Sequence, residues 1–327
     1  MTTVLLTGAG GAALPIMMER LRKEGYRVLA ADMDPHAVGL YIANSGFVIP
    51  GGKSPAFLPA IRRLCLQEKV DVIVPLVDEE LIAVLELEED GIIVLLPNLE
   101  FVATCLDKFL LMKQLQSAGI HAPATRLASN GPGEMSFPLV VKPRTGRGSR
   151  GLGIVNTEDE LVIFLSASSY TRNELILQEY IDGLEFTVSV VVWRDGEVQA
   201  VVPKEIISKR GITHIAVTRR NPKIEELCRK IQKHLRADGP FNVQLRIDQN
   251  TGEPLPFEIN PRFSTTISLT IAAGIDELGG VIAQAVGGRE GYHFGDWEEG
   301  IVLLRKTLDQ FIDENDFLSR PVTDEYV

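Results

Sequence analysis

Short apolar runs alternate with amphipathic stretches along the first hundred residues. Val4–Thr7 reads as an apolar strand, Gly8-Ala9-Gly10-Gly11 as a glycine turn, and a helix then runs to about Glu24, with Pro15 acceptable near its first turn. Val28–Ala31 predicts a second strand, Phe57–Gln67 a helix, Val70–Pro75 a strand, Glu79–Glu86 a helix and Ile92–Leu95 a strand. This βαβ series predicts a parallel sheet with helices on both faces, so the fold class is α/β. Further on the pattern shifts toward strands. Phe109–Ala118 reads as a helix opened by Asp107-Lys108, with Asp107 as its cap. Ala122-Pro123-Ala124 then leads into a separate small α/β unit. Glu174–Tyr180 and Glu185–Trp193 read as strands, and Arg194-Asp195-Gly196-Glu197 as a hairpin turn. Pro222–Leu235, Thr265–Ala273 and Glu277–Val286 read as helices. The stretch 291–327 has weak periodicity and an acidic run, and is expected to be peripheral or partner-facing.

Size and charge narrow the function. A chain of 327 residues can hold two or three domains, and its 45% hydrophobic and 24% charged content is ordinary for a globular protein. A net charge of −11 argues against a nucleic-acid partner held through phosphates. Cys65, Cys105 and Cys228 are scattered and odd in number, which predicts reduced core thiols in a cytoplasmic protein. The chain starts directly on a strand and has no run of 18 apolar residues, so neither a leader nor a membrane span is expected.

Candidate chemistry concentrates in two places. In Phe257-Glu258-Ile259-Asn260-Pro261-Arg262, Glu258 and Asn260 leave the same face of an extended strand, roughly 6–7 Å apart, while Phe257 and Ile259 point the other way. Two hard oxygen donors at that spacing can hold Mg²⁺ on substrate phosphates, and Arg262 suits a phosphate oxygen. The alternative is an ordinary amphipathic edge strand. Upstream, Asn242–Asp248 alternates polar and apolar, followed by turn chemistry at Gln249–Glu253. Pairing Asp248 with Pro254 sets Gln244 opposite Glu258 and Asn242 opposite Asn260. A slip of one residue would turn Gln244 to the other face.

The second place is Phe137–Pro143, a strand that delivers Lys142 into Arg144-Thr145-Gly146-Arg147-Gly148-Ser149-Arg150-Gly151-Leu152-Gly153 before a return strand through Ile154-Val155. Glycines at 146, 148, 151 and 153 let backbone N–H groups approach phosphates, and Arg147 and Arg150 add charge. The loop lacks the Gly-Lys-Ser/Thr ending of a Walker A loop and leads into a strand, so the choice is between a phosphate lid of another kind and a flexible basic hairpin. Near the N-terminus, Gly8-x-Gly10-Gly11 with Asp32 and Asp34 suggests a dinucleotide site, against a tight βα turn. The turn is the favoured reading because nothing later looks like hydride chemistry.

Taken in order and spacing, these pieces resemble the ATP-grasp superfamily, and most closely one ATP-grasp half of the carbamoyl-phosphate synthase large subunit. The resemblance covers roughly residues 1–290. It implies a Rossmann-like domain over 1–106, a linker helix and lid over 107–180, a second ATP-grasp part with a magnesium hairpin over 181–290, and a tail over 291–327. It implies that Lys108 and Lys142 are nucleotide-phosphate cations and that Gly146, Gly148, Ser149 and Gly151 belong to the lid. Glu179, Tyr180 and Ile181 match the hinge that reads adenine, and Glu185 the ribose carboxylate. Gln244, Glu258 and Asn260 match the magnesium ligands and Arg262 the phosphate-binding arginine, with Lys142 and Arg262 as the catalytic pair. The expected activity is ATP- and Mg²⁺-dependent joining of a carboxylate to an amine through an acyl phosphate, with Mn²⁺ as an alternative metal. One of Lys204, Lys209 or Arg210 would add charge at the phosphates. The chain departs from the synthase in having one half only and a poor match at Gly211–Ile215, which argues against carbamoyl-phosphate synthesis by this chain alone. A synthase-like subunit or an ATP-binding accessory protein is the other reading. Expected partners are small-molecule substrates, and a homodimer is compatible with the resemblance.

Overall fold

The computed structural model describes residues 1–148, 150–288, 290, 292–306 and 309–320. The first unit runs β1 (Thr3–Thr7), α1 (Leu14–Lys23), β2 (Arg27–Asp32), α2 (Val38–Ile42), β3 (Ser45–Val48), α3 (Phe57–Glu68), β4 (Val72–Val74), α4 (Leu81–Val84), β5 (Ile93–Val94) and α5 (Leu99–Leu106). Its five strands form a parallel sheet in the order β3-β2-β1-β4-β5. Alternate strand residues feed two cores. Val4, Leu6, Val28 and Ala30 pack with Leu14, Met17, Met18 and Leu21 of α1, whereas Leu5, Leu29 and Ile73 pack with Phe57, Ile61 and Leu64 of α3. A sheet covered on both faces needs apolar residues at every strand position, which is why β1 is buried throughout. Helix α2 and strand β3 have no counterpart in the sequence reading. At 5 and 4 residues they are too short to show a period.

The second unit contains α6 (Lys108–Ser117), β6 (Thr125–Leu127), β7 (Leu139–Pro143), β8 (Gly153–Val155), α7 (Glu158–Ala167) and β9 (Leu175–Glu179). Its sheet is antiparallel in the order β6-β9-β7-β8, over a small core of Leu139, Val141, Val155, Leu161, Leu175 and Leu177. The third unit contains β10 (Gly183–Val192), β11 (Val198–Arg210), β12 (Ile212–Thr218), α8 (Pro222–Leu235), β13 (Phe241–Asp248), β14 (Pro254–Asn260), α9 (Ile267–Ala272), α10 (Glu277–Gly287) and β15 (Val302–Leu304). Its sheet runs β14-β13-β10-β11-β12-β15. A strand from the stretch after residue 290 thus pairs with β12. Farther on, α11 (Glu314–Ser319) brings Phe317 against the first unit, its ring 5.4 Å from Tyr41 and 6.1 Å from His36. Among the described residues no helix is long and apolar enough to cross a membrane.

The first and third units share a core. Leu278, Val281 and Ile282 of α10 join the cluster built on α1, and Arg20 Nε bonds Asp276 Oδ2 at 2.7 Å. Beneath the large sheet lies a buried polar knot. Lys204 is fully buried and Glu277 is 1% exposed. Lys204 Nζ donates to Ser189 Oγ and Thr270 Oγ1, both at 2.7 Å, and Ser189 Oγ donates to Glu277 Oε1 at 2.9 Å. Burial pulls the Lys204 ammonium down to about 8, against the opposing pull of Glu277, and pushes the Glu277 carboxyl up. Removing one partner strands the other in a dry interior. Lys204→Met is therefore expected to cost about 3–5 kcal/mol in denaturant unfolding, and Lys204→Met/Glu277→Gln to recover most of that loss. A double variant as unstable as the single one would show that the two residues do not act as a pair.

Candidate active site

The hairpin of β13 and β14 sets the site. Gln244 pairs with Glu258 and Asn242 with Asn260, as the sequence pattern predicts. The pairing toward the turn differs: Ile247, not Asp248, faces Pro254. The register shifts between Gln244 and Leu245, so Phe257 is an extra residue in β14. The bulge also corrects the expectation that Phe257 points into the core with Ile259. Ile259 is 1% exposed there, whereas Phe257 lines the cavity beside Glu258. β14 lies at the sheet edge, where Pro254 and Pro256 deprive no neighbouring strand of a donor.

The oxygen donors are available. Asn242 Nδ2 donates to the carbonyls of Arg262 (2.9 Å) and Asn260 (3.5 Å), so its Oδ1 is the acceptor that takes Asn260 Nδ2 at 3.2 Å. That chain of bonds fixes the Asn260 amide and leaves its Oδ1 for another partner. The side chains of Gln244 and Glu258 have no hydrogen-bond partner among the described residues, and both line the cavity. Nor is any group of three His, Cys, Asp or Glu among them placed to hold a metal ion by itself. A set of two amide oxygens and one carboxylate fits a hard cation that completes its shell with phosphate oxygens and water, which is how Mg²⁺ binds.

Cations converge from the lid. Lys142, at the end of β7, is 4% exposed and donates to the Phe257 carbonyl at 3.2 Å. Burial lowers its ammonium to about 8, against the pull of Glu258. Lys108 opens α6, where a solvated side chain would be usual, yet it is 7% exposed and its Nζ donates to the Gly146 carbonyl at 2.7 Å. Asp107 caps α6 through Phe109 N and Leu110 N and also pairs with Arg144, at 2.8 Å from Nε. Adjacent residues at one helix start thus grip both ends of the turn that leads into the glycine loop. Gly146 and Gly148 have φ of 108° and 71°, left-handed values that free the loop to fold over the cavity. Gly151 stands outside the cavity lining. A Cβ there would come within 2.8 Å of Tyr170, so it closes the loop base. Ser149 lies outside the described residues.

The hinge is held by a residue the sequence reading passed over. Arg246 donates to the Ile181 carbonyl at 3.1 Å and pairs with Glu185 at 3.3 Å, with its guanidinium 5.5 Å from the centre of the Tyr180 ring. Lys209 pairs with Glu185 at 2.9 Å and lines the cavity. Of the three phosphate candidates on β11, Lys204 is excluded by its burial in the knot under the sheet, and Arg210 is not in the lining. Glu179 is exposed and accepts from Ala124 N at 3.2 Å. Arg262 Nε bonds Asp78 Oδ1 of the first unit at 2.7 Å. Arg246, Glu185, Tyr180, Lys209, Glu179 and Arg262 border the same cavity as the oxygen donors and the two lysines, about 520 Å³ in volume, a size that suits a nucleotide. The three cysteines are buried and burial pushes their thiols up, so none is a nucleophile. At the N-terminal turn, both oxygens of Asp32 accept from backbone, Gly10 N at 3.0 Å and Asp34 N at 2.9 Å, which favours a structural role over dinucleotide binding.

Three family profiles match the chain: "PylC-like, N-terminal domain" over residues 4–94, "D-ala D-ala ligase C-terminus" over 109–218, and "ATP-grasp in the biosynthetic pathway with Ter operon" over 171–305. A carbamoyl-phosphate synthase of Methanobrevibacter smithii is 21% identical over 290 residues, covering 82% of this chain and 76% of that protein. The carbamoyl phosphate synthase large chain of Bifidobacterium longum is 25% identical over 284 residues, covering 77% of this chain but 25% of that protein. This chain thus spans about a quarter of the bifidobacterial protein. Among solved structures, the biotin carboxylase domain dimer of Hydrogenobacter thermophilus 2-oxoglutarate carboxylase, with MgADP, ADP and bicarbonate, aligns with a TM-score of 0.74 at 20% identity, over 92% of this chain and 73% of that one. That likeness shows the fold.

The clamp on the glycine loop can be tested directly. Asp107→Ala removes a helix cap and the Arg144 partner, so it should cost about 1–2 kcal/mol and speed tryptic cleavage after Arg147 or Arg150 severalfold. Cleavage at the wild-type rate would show that Asp107 does not hold the loop.

Proposed function

We propose, for a chain that is an ATP-grasp protein resembling one half of the large chain of carbamoyl-phosphate synthase, that it is an ATP- and Mg²⁺-dependent, ADP-forming ligase joining a carboxylate to an amine. One observation carries the reading. A single cavity brings together the oxygens of Gln244, Glu258 and Asn260, the cations Lys142, Lys108 and Arg262, and a left-handed glycine loop. Hard oxygen donors beside a nest of cations and backbone N–H groups are what a nucleoside triphosphate with its metal requires.

Gln244, Glu258 and Asn260 would hold Mg²⁺, which when bound supplies charge neutralisation at the transferred phosphate. The adenine would lie along Glu179–Ile181, where the Ile181 carbonyl is taken by Arg246 and its N–H remains for the base edge. Glu185, already held between Lys209 and Arg246, would accept from the ribose hydroxyls. The substrate carboxylate attacks the γ-phosphorus, the bond to the β-phosphate oxygen breaks, and ADP leaves. The amine then displaces phosphate from the acyl phosphate. Lys142 and Arg262 stabilise the developing charge, and closure of the glycine loop keeps water from the acyl phosphate. The catalytic work is positioning and charge, so no side-chain nucleophile is needed.

Support for the carboxylate–amine class comes from the D-ala D-ala ligase profile across the lid, and for an acid as first substrate from the bicarbonate in the biotin carboxylase neighbour. That neighbour is a dimer, so a homodimer is part of the proposal. Phosphate release should appear when ATP, Mg²⁺ and pooled amino acids and small carboxylates are supplied together. Glu258→Ala should lower it about 10²-fold or more with an unchanged unfolding midpoint. Wild-type turnover in that variant would remove Glu258 from the site. Tight ATP binding with no stimulated turnover in any pool would favour an accessory or sensing role.

A further inference from the structure

Consecutive carboxylates follow β4, and they are not alike. Asp78 is paired with Arg262 and Glu79 with Arg147 of the glycine loop, the latter at 2.9 Å. Glu80 has no cation of its own. It is 5% exposed, and its Oε2 is buried with no hydrogen-bond partner among the described residues. The Thr7 hydroxyl at the end of β1, which accepts from Leu76 N at 3.2 Å, favours its ionised form. A carboxylate withdrawn from water with an unused oxygen is costly, so its retention calls for a ligand that supplies a donor.

The position fits a ligand. In the order β3-β2-β1-β4-β5, Glu80 stands beyond the C-terminal ends of β1 and β4, where the chain leaves the sheet in opposite directions. Open α/β sheets bind their ligands in that crevice. The walls are built close. A Cβ at Gly8 would come within 2.8 Å of Val77 Cγ2, and one at Gly52 within 2.8 Å of Glu80 Cγ, so the Gly8 turn packs on the chain leaving β4 and Gly52 is kept bare against Glu80 itself. Arg147 links crevice and cavity: it lines the nucleotide cavity, is bonded to Glu79, and its charge reaches Glu80.

We propose that Glu80 is the specificity residue for the second substrate, its Oε2 accepting from the primary ammonium of the amine that enters between the Gly8 turn and the glycine loop. This inference rests on the ligase reading above. An ammonium brings both the missing donor and the missing positive charge, and it gives one proton to the Glu80 carboxylate so that the free amine attacks the acyl carbon as phosphate leaves; a hydroxyl or thiol nucleophile brings no charge. The groups that face Glu80 are Asp32 and Glu79, which disfavour its ionised form, and Arg147 and Thr7, which favour it. Burial pushes its carboxyl up to about 7, so affinity for an ammonium should rise with pH through that value.

The test uses the carboxylate and amine found by the phosphate-release screen, with hydroxylamine as a small probe that traps the acyl phosphate without needing the amine subsite. In Glu80→Gln, KM for the amine should rise at least tenfold, while KM for ATP and the hydroxamate yield stay within twofold of wild type. The wild-type fall in amine KM between pH 6 and 8 should also disappear. An unchanged amine KM would overturn the assignment. So would a hydroxamate yield that falls in step with amine-dependent turnover, because Glu80 would then act on the fold or on ATP. If the wild-type protein forms neither ADP nor hydroxamate from any pair, the ligase reading itself fails, and that outcome is distinct from the other two.

Discussion

The site hangs on one extra residue. Between Pro256 and Glu258 the β14 strand carries Phe257 with no partner opposite, and this bulge brings the strand into the register that sets Glu258 across from Gln244. Without it the pairing that starts at Ile247 and Pro254 would continue one residue out of step, and Glu258 and Asn260 would turn to the other face of the sheet. The bulge also turns Phe257 toward the cavity, and its carbonyl accepts from the Lys142 ammonium. A single backbone irregularity therefore orders the oxygen donors and ties the lid lysine to them. The interaction spans 115 residues of chain and joins the lid strand to the large sheet.

Charge balance binds the first unit to the same site. Arg262 and Arg147, the cations best suited to phosphate, are held by Asp78 and Glu79 across the unit boundary. A triphosphate bound as proposed would compete with those carboxylates for both guanidiniums. The shared core under α1 and α10, with its Arg20–Asp276 pair, fixes the carboxylates relative to the hairpin. The Rossmann-like sheet thus works as a wall beside the cavity, and its glycine turn as a tight corner braced by Asp32.

Much of this arrangement was legible in the residues. Alternation in Asn242–Asp248 and the spacing of Glu258 and Asn260 give the facing donors, because the period of a strand is fixed by its pleat. The strand-end lysine and its glycine loop are equally plain, since both are local. The bulge is not legible: nothing in Pro254–Phe257 marks which residue will go unpaired, and the turn register consequently came out one residue off. Burial of Lys108 and Lys204 was hidden for a related reason, since it depends on segments far away in the chain. Arg246 was visible as the next polar residue on the Gln244 face, but its partners Ile181 and Glu185 are 65 and 61 residues distant. The short α2 and β3 carry too few residues to show a period.

The two buried charge systems show how differently the same physics is used. Lys204 and Glu277 lie in a dry layer where Ser189 bonds both of them and Thr270 bonds Lys204 and Ser189, so the network closes on itself and contributes to a unique packing of α9 and α10 on the sheet. Glu80 is almost as deeply buried, but its network is left open at one oxygen. A closed network asks nothing of solution, whereas an open one is completed by whatever supplies a donor and a positive charge. That difference separates the structural ion pair from the recognition role proposed for Glu80.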